Sequence, residues 1–128
     1  MNQRQALREA ARHISVYPQG DNFVISYPWK DSDRRGPCTT TSVRYWGDAL
    51  RKQALFKAEL ALWIYCEDGD TMPEKWYEFY NDACFEMSYQ ADNPSCHTAR
   101  ELLKIGIDEI RRLIERDNEA QAECEAGT

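Results

Sequence analysis

The segment Ala54–Cys66, with the sequence ALFKAELALWIYC, decides the fold of this protein. Only Lys57 and Glu59 are polar in it. At about 100° per residue, the apolar side chains cover nearly the whole circumference of a helix, and such a helix must be covered on several sides. The pattern therefore predicts a buried helix from Ala49 to about Cys66, with Asp48 as its N-cap, between a sheet and further helices.

Residues before this helix predict β-structure. Residues 14–17 and 23–27 alternate between inward and outward positions, and the turn-forming segment 18–22 (PQGDN) separates them, which predicts a β-hairpin. Residues 39–46 (TTTSVRYW) are rich in β-branched and aromatic side chains and predict a third strand; a helix that starts at Ser42 is the alternative. Residues 28–38 read as a polar loop.

Three further helices are predicted outside the central one. Residues 2–12 form a short amphipathic helix, and Thr71–Glu74 is a capping box that opens a third helix to about Tyr89. The last helix runs from about Pro94 to Arg116. Gly106 lies within it, and because glycine costs a helix about 1 kcal/mol relative to alanine, this position indicates a close approach of another helix.

These elements predict the fold class α+β. A small antiparallel hairpin or three-stranded sheet packs on the buried central helix, with two further C-terminal helices. We expect one domain over residues 1–116 and an acidic, flexible tail over residues 117–128.

Charge and cysteine content restrict the class of protein. The net charge is −6. Residues 1–47 hold seven basic and four acidic residues, whereas residues 48–128 hold nine basic and eighteen acidic residues. The acidic excess of the second part argues against a membrane surface as partner. No apolar stretch approaches the roughly 20 residues of a membrane span, and the N-terminal residues lack the apolar region of a secretory signal. We expect a cytoplasmic protein whose five cysteines are reduced, with Cys66 and Cys84 in the core.

Catalytic motifs are absent from the sequence. There is no phosphate-binding glycine loop, zinc-protease motif, nucleophile elbow or EF-hand loop. Cys96-His97 could be part of a thiol or metal site, and the acidic turn at residues 67–70 could hold a cation, but an isolated Cys-His pair and a solvated turn are the simpler interpretations. The sequence predicts a non-enzymatic protein without cofactor or metal.

An acidic row is the most informative pattern on the third helix. Glu74, Glu78, Asp82 and Glu86 recur every four residues and form one flank, although like charges at this spacing oppose helix formation by about 0.2–0.5 kcal/mol per pair. The residues predicted to face the core are Trp76, Phe79, Tyr80, Ala83 and Met87. Phe85 and Tyr89 instead lie among the carboxylates.

Two interpretations fit this flank. In one, it is solvated surface, and the last helix or the tail covers Phe85 and Tyr89. In the other, the six residues form a contact surface for a basic partner protein, because aromatic side chains in a charged rim are typical of binding hot spots. A more specific hypothesis is a small phage- or plasmid-encoded inhibitor that occupies the basic groove of a host complex acting on nucleic acids.

Residues 13–60 also resemble a known family. The runs ISVYPQG and NFVISYPWK, followed by SVRYWG at residues 42–47, resemble the AP2-type DNA-binding domain, in which three antiparallel strands pack on one helix. The resemblance implies a DNA-binding regulator that reads the major groove with arginines and tryptophans on the outer sheet face. The residues expected to contact DNA phosphates or bases in this alternative are Lys30, Arg34, Arg35 and Arg44.

The chain departs from that family where DNA would bind. If Ile14, Val16, Phe23, Ile25, Val43 and Tyr45 face inward, the outer face consists of His13, Ser15, Tyr17, Val24, Ser26, Ser42 and Arg44. One arginine provides few phosphate contacts. DNA binding is therefore the alternative to protein binding.

Overall fold

A computed structural model of the chain describes residues 2–28, 38–67, 74–92 and 97–127. The order of elements is α1 (Gln3–Ala11), β1 (Ser15–Gln19), β2 (Asn22–Pro28), β3 (Cys38–Val43), α2 (Trp46–Cys66), α3 (Lys75–Ala91) and α4 (Ala99–Ala126). This is an α+β fold with a three-stranded antiparallel sheet and C-terminal helices, which confirms the predicted class.

The sheet has the order β1-β2-β3. The hairpin turns at Gly20 and Asp21, between the pair Gln19 and Asn22, and Gly20 has a φ of 60°, which residues with a side chain adopt only at a cost. Residues 39–43 pair with β2. The prediction of a third strand, rather than a helix that starts at Ser42, is thus confirmed.

The sheet places one face on α2. Ile25 is fully buried, and Val16, Phe23 and Val43 pack against the core, as the alternation predicts. On the opposite face, Val24 is also buried, at 5% exposure, although it lies between Tyr17 and Ser42 by register.

The helix α2 is the centre of the molecule. Nine of its residues are buried, from Ala49 to Cys66, and it contacts α1, α3, α4 and all three strands. Aromatic pairs join it to β2, with ring centroids 4.3 Å apart for Tyr27 and Phe56. The predicted covering on several sides is confirmed.

The start of α2 differs from the prediction. The helix begins at Trp46, with Tyr45 at the N-cap position, so Asp48 lies in its first turn and is not the cap. Tyr45 was expected to face inward but is 64% exposed. The reason is that the chain leaves the sheet at Val43, and Trp46 then packs edge-on against Phe23, at 5.2 Å between centroids.

The end of α4 also differs. The helix continues to Ala126, well past the predicted end at Arg116, and most residues beyond that point are exposed. Residues 117–126 contain neither glycine nor proline, and Asp117 forms an ion pair with Lys75 of α3. The flexibility expected of this acidic segment stays a prediction.

The close packing predicted at Gly106 is present. A Cβ atom at this position would lie 2.7 Å from Met87 Sδ and 3.0 Å from Leu62 Cδ2. Both distances are shorter than an optimal carbon contact of about 3.5–4.0 Å. Gly106 therefore allows α2, α3 and α4 to meet.

Candidate functional site

The helix α3 has one buried side and one solvent side. Tyr80, Ala83 and Met87 are buried, while Trp76 packs against the core and Phe79 is half-buried. All five were predicted to face the core. The Tyr80 hydroxyl donates a hydrogen bond of 3.0 Å to the backbone carbonyl of Glu59, which fixes this side of α3 on α2.

Phe85 and Tyr89 lie on the solvent side of α3. Their exposed fractions are 76% and 67%, the two highest among the large hydrophobic residues in the described ranges. The interpretation in which α4 or the C-terminal segment covers these rings is therefore wrong. Since they are four residues apart on a helix, their side chains lie next to each other.

The carboxylates of the same side fall into two groups. Glu74, Glu78 and Asp82 are exposed, and none of them forms an ion pair with another residue of the described segments. Glu86 is half-buried, and one of its oxygens accepts a hydrogen bond of 3.1 Å from Gln90 Nε2. Three of the four carboxylates thus have no ion-pair partner in the described segments and can attract an external cation.

The edge of this surface next to α4 carries balanced charges. Lys75 pairs with Asp117, and Arg112 donates two hydrogen bonds to Glu109. The hydrogen bond with Glu109 raises the pKa of the Arg112 guanidinium, and the charge of Glu86 adds a smaller contribution. Lys75 and Arg112 are thus paired with carboxylates of α4 at this edge and form no ion pair with the acidic row.

The opposite edge carries an aromatic side chain that the sequence analysis missed. Tyr77 is 40% exposed and stacks on Trp63 of α2, with 5.6 Å between centroids and 17° between planes. The signal was present in the sequence, because Phe85 and Tyr89 are four residues apart and Tyr77 precedes Phe85 by eight, which places all three along one side of the helix. An aromatic row thus runs beside the acidic row.

We define the acidic-aromatic surface by these side chains: Glu74, Glu78, Asp82, Phe85, Glu86 and Tyr89, with Tyr77 at its edge. The first six are the residues that the sequence predicts for partner binding, and α3 presents them on contiguous turns. The surface is an exposed convex helix face. Its chemistry is that of a docking surface, with apolar area beside unpaired charge.

The residues of the DNA-binding alternative are not brought together in this way. Lys30, Arg34 and Arg35 lie outside the described residues. Arg44 follows β3 and stands over the ring of Tyr45, 5.8 Å from its centroid. The outer faces of the strands, in the ranges the structure covers, carry no lysine or arginine, so the AP2-type resemblance and its DNA-binding role stay predictions.

A second group of exposed apolar side chains lies at the start of α2. Tyr45, Trp46 and Leu50 are 64%, 50% and 44% exposed. Arg51 at its margin is paired with Asp48, at 3.7 Å. This group differs from the acidic-aromatic surface, because the carboxylate of Asp48 beside it is paired and the charge over Tyr45 is that of the basic Arg44.

The positions considered for catalysis are only partly covered by the structure. Cys96, Asp68 and Asp70 lie outside the described residues. His97 Nδ1 lies 3.3 Å from a carboxylate oxygen of Glu101, and Glu67 accepts a hydrogen bond from the Trp63 indole. No group of three potential metal ligands occurs among the residues that the structure describes.

The described thiols differ in burial. Burial raises the pKa of Cys66 to about 12, with a smaller contribution from Cys84. A thiol with so high a pKa is almost entirely protonated at neutral pH and is a poor nucleophile. Cys124 is exposed near the end of α4. The expectation that Cys66 and Cys84 belong to the core is confirmed, since Cys66 is buried and Cys84 packs against the core.

Comparisons with protein-family models, curated proteins and solved structures find no match to this chain. None of the helices in the described part has the length and apolar character that crossing a bilayer requires.

Proposed function

We propose that this chain is a non-enzymatic protein-binding module that docks on a basic partner protein through the acidic-aromatic surface of α3. The observation that carries the proposal is the exposure of Phe85 and Tyr89, at 76% and 67%, beside carboxylates without an ion pair in the described chain. Tyrosine is enriched among the hot spots of protein interfaces, and phenylalanine is enriched in their buried centres.

The exposed rings supply a useful free energy of association. A phenylalanine side chain buries about 150–250 Å² when it is covered. Phe85 is 76% exposed, so an interface would remove on the order of 130 Å² of apolar surface from water. At about 25 cal/mol per Å² this contributes about 3 kcal/mol, and Tyr89 contributes a similar amount if its hydroxyl finds a partner.

The carboxylates determine the sign of the partner's charge. Successive acids of the row are four residues apart, or about 6 Å along the helix axis. Charges so arranged attract a basic surface, raise the association rate and repel anionic partners such as nucleic acids.

The more specific proposal is that the partner is a host complex that acts on nucleic acids, and that this chain, encoded by a phage or plasmid, inhibits it. A groove that binds a phosphate backbone is lined with lysine and arginine. The acidic row would occupy such a groove, and Phe85 and Tyr89 would pack against its apolar parts. What supports this version is the net charge of −6 and the regular spacing of the acids.

Affinity capture from host extract tests the proposal with a matched pair of variants. The test variant combines Glu78→Gln, Asp82→Asn and Tyr89→Ser. The control combines Glu119→Gln, Glu123→Gln and Tyr17→Ser, which removes the same charges and one tyrosine from exposed positions elsewhere. We expect a specific partner to bind the wild type and the control, and to lose at least tenfold in affinity for the test variant.

Nuclease treatment and DNA competition separate the possible partners. A protein that is retained after nuclease treatment, and that added duplex DNA displaces, is expected for an inhibitor of a nucleic-acid-binding complex. A partner retained equally by the test variant would refute the role of the acidic-aromatic surface. Loss of all captured protein after nuclease treatment, with direct binding of duplex DNA that Arg44→Glu abolishes, would favour the DNA-binding alternative.

A further inference from the structure

A second candidate site lies on the other side of α2, where α1 approaches the start of α4. An open cleft of about 1000 Å³ is lined by Arg4, Leu7 and Arg8 of α1, Tyr65 of α2 and Arg100 of α4. Asn2 and Gln3 also line it, so the positive end of the α1 dipole is directed to the same space. Pockets for small molecules commonly have volumes of about 300–1000 Å³.

The charge of this cleft is unusual for so acidic a protein. No aspartate or glutamate is among those lining residues that the structure describes. In the described ranges, Arg4, Arg8 and Arg100 form no ion pair, whereas Arg12, Arg51 and Arg112 each pair with a carboxylate on their own helix. Three arginines on two helices thus line one cleft, and the described residues around it supply no carboxylate that pairs with them.

The spacing of the arginines on α1 also favours a bound anion. Arg4 and Arg8 are four residues apart, a like-charge arrangement that costs a helix about 0.2–0.5 kcal/mol unless an anion offsets it. Arg12 continues the same row, but its guanidinium lies 3.3 Å from a carboxylate oxygen of Glu9. Of this row on α1, Arg4 and Arg8 line the cleft and form no ion pair with another described residue.

Tyr65 supplies a positioned aromatic wall. Its hydroxyl oxygen accepts a hydrogen bond of 3.0 Å from Arg111 Nη2 of α4, which holds the ring in place. Leu7, on α1, adds apolar surface and packs against the core. The cleft therefore combines donors for an anion with a surface on which a flat apolar group can lie.

We infer that this cleft binds a phosphate-bearing small molecule with an aromatic body, of the chemical class of nucleotides. Guanidinium groups bind phosphate oxygens in bidentate geometry, so Arg4, Arg8 and Arg100 receive the phosphates. The base stacks on Tyr65 and contacts Leu7. The site shares no residue with the acidic-aromatic surface, so binding here does not depend on the function proposed for α3.

Isothermal titration with ATP, inorganic pyrophosphate and adenosine tests the inference. We expect ATP to bind most tightly, pyrophosphate more weakly and adenosine weakest. Arg8→Gln and Arg100→Gln should each weaken ATP binding at least tenfold, and Tyr65→Leu should weaken ATP more than pyrophosphate. Arg12→Gln removes the same charge from the same row outside the cleft and should change the affinity less than twofold.

The thermal midpoint of each variant verifies that it remains folded. Replacement of Glu78 and Asp82 should leave ATP binding unchanged, which separates this site from the one on α3. The inference is overturned if ATP and pyrophosphate give no saturable binding at low ionic strength. It is also overturned if Arg12→Gln weakens binding as much as Arg8→Gln, or if single-stranded DNA binds the cleft more tightly than ATP, because the ligand would then be a polymer.

Discussion

Replacement of Gly106 by alanine should destabilise the protein, against the usual effect of this change in a helix. In an unconstrained helix, alanine is preferred over glycine by about 1 kcal/mol. At Gly106 the new methyl group would lie 2.7 Å from Met87 Sδ and 3.0 Å from Leu62 Cδ2. Both neighbours are fully buried, so neither side chain can move into solvent.

The expected magnitude follows from two opposing effects. Added volume in a packed core costs about 1–3 kcal/mol, and the helix preference of alanine returns up to about 1 kcal/mol. The net loss in the free energy of unfolding is about 1 kcal/mol, which lowers the thermal midpoint of a domain of this size by about 4 °C.

Gly47→Ala provides the matched control. Gly47 lies in the first turn of α2, and the nearest side-chain atom to a Cβ there is Arg51 Nη2 at 4.0 Å. This variant should be neutral or more stable by up to about 1 kcal/mol. Urea and thermal unfolding followed by circular dichroism measure both.

A double-mutant cycle identifies the neighbour responsible. Met87→Ala alone should cost about 2–5 kcal/mol through the cavity it leaves. In that background, Gly106→Ala should cost less than in the wild type, because the sulfur that it meets is gone. If Gly106→Ala stabilises the protein as much as Gly47→Ala does, the close approach of the three helices is refuted.

Three further predictions concern the surface, the thiols and the caps. Phe85→Ser with Tyr89→Ser should change the free energy of unfolding by less than about 0.5 kcal/mol per site, as for exposed positions; a large loss in urea unfolding would show that these rings support the fold. At pH 8, iodoacetamide should label Cys124 and leave Cys66 unmodified in the native protein. Because the folded-state pKa of Cys66 is raised to about 12 from 9.0, the contribution of this thiol to stability should be complete below pH 9.0 and decline as the pH rises from 9.0 towards 12. If Cys66→Ala does not reduce this fall in the free energy of unfolding with pH, the prediction is contradicted. Thr98→Ala should cost about 1 kcal/mol, because the Thr98 hydroxyl caps α4 in a reciprocal capping box; an unchanged urea midpoint would show that the cap contributes nothing.

The central part of the fold could be predicted because its local signals agree. In Ala54–Cys66 the polar residues are too few to line a solvent face, and in the hairpin the strand alternation and the turn residues indicate the same register. Gly106 was informative for a related reason, since a glycine within an apolar helical pattern is unfavourable unless space is restricted.

The start of α2 could not be predicted, because local preference and tertiary packing disagree there. Asp48 is a good N-cap and Trp46 favours a strand. The contact between Trp46 and Phe23 joins residues far apart in sequence, and no local sequence pattern predicts such a contact. The helix therefore begins earlier, and Tyr45 turns to solvent.

The predicted end of α4 at Arg116 was wrong for a different reason. Residues 117–126 have no apolar face, and amphipathicity is the signal by which a helix is recognised. Alanine, glutamate and glutamine nevertheless favour a helix, and an existing helix propagates at little cost into such a segment. Its continuation to Ala126 follows from propensity rather than from burial.

The spacing of the residues in the candidate site could be predicted from the sequence, but their exposure to solvent could not. The four-residue spacing placed Phe85 among carboxylates, but only the position of α4 shows that no other helix covers it. The same rule applied to Arg4 and Arg8 would have marked the basic row on α1. The convergence of that row with Arg100 depends on how α1 and α4 pack, which spacing does not reveal.

The position of α2 has a consequence for the way the molecule comes apart. Because every other element packs on this one helix, removal of any of them would expose apolar surface of α2 to water. Fragments made by truncation or by limited proteolysis should therefore aggregate or unfold, and should not persist as smaller folded units. Melting should accordingly be a single calorimetric event, with all layers lost together.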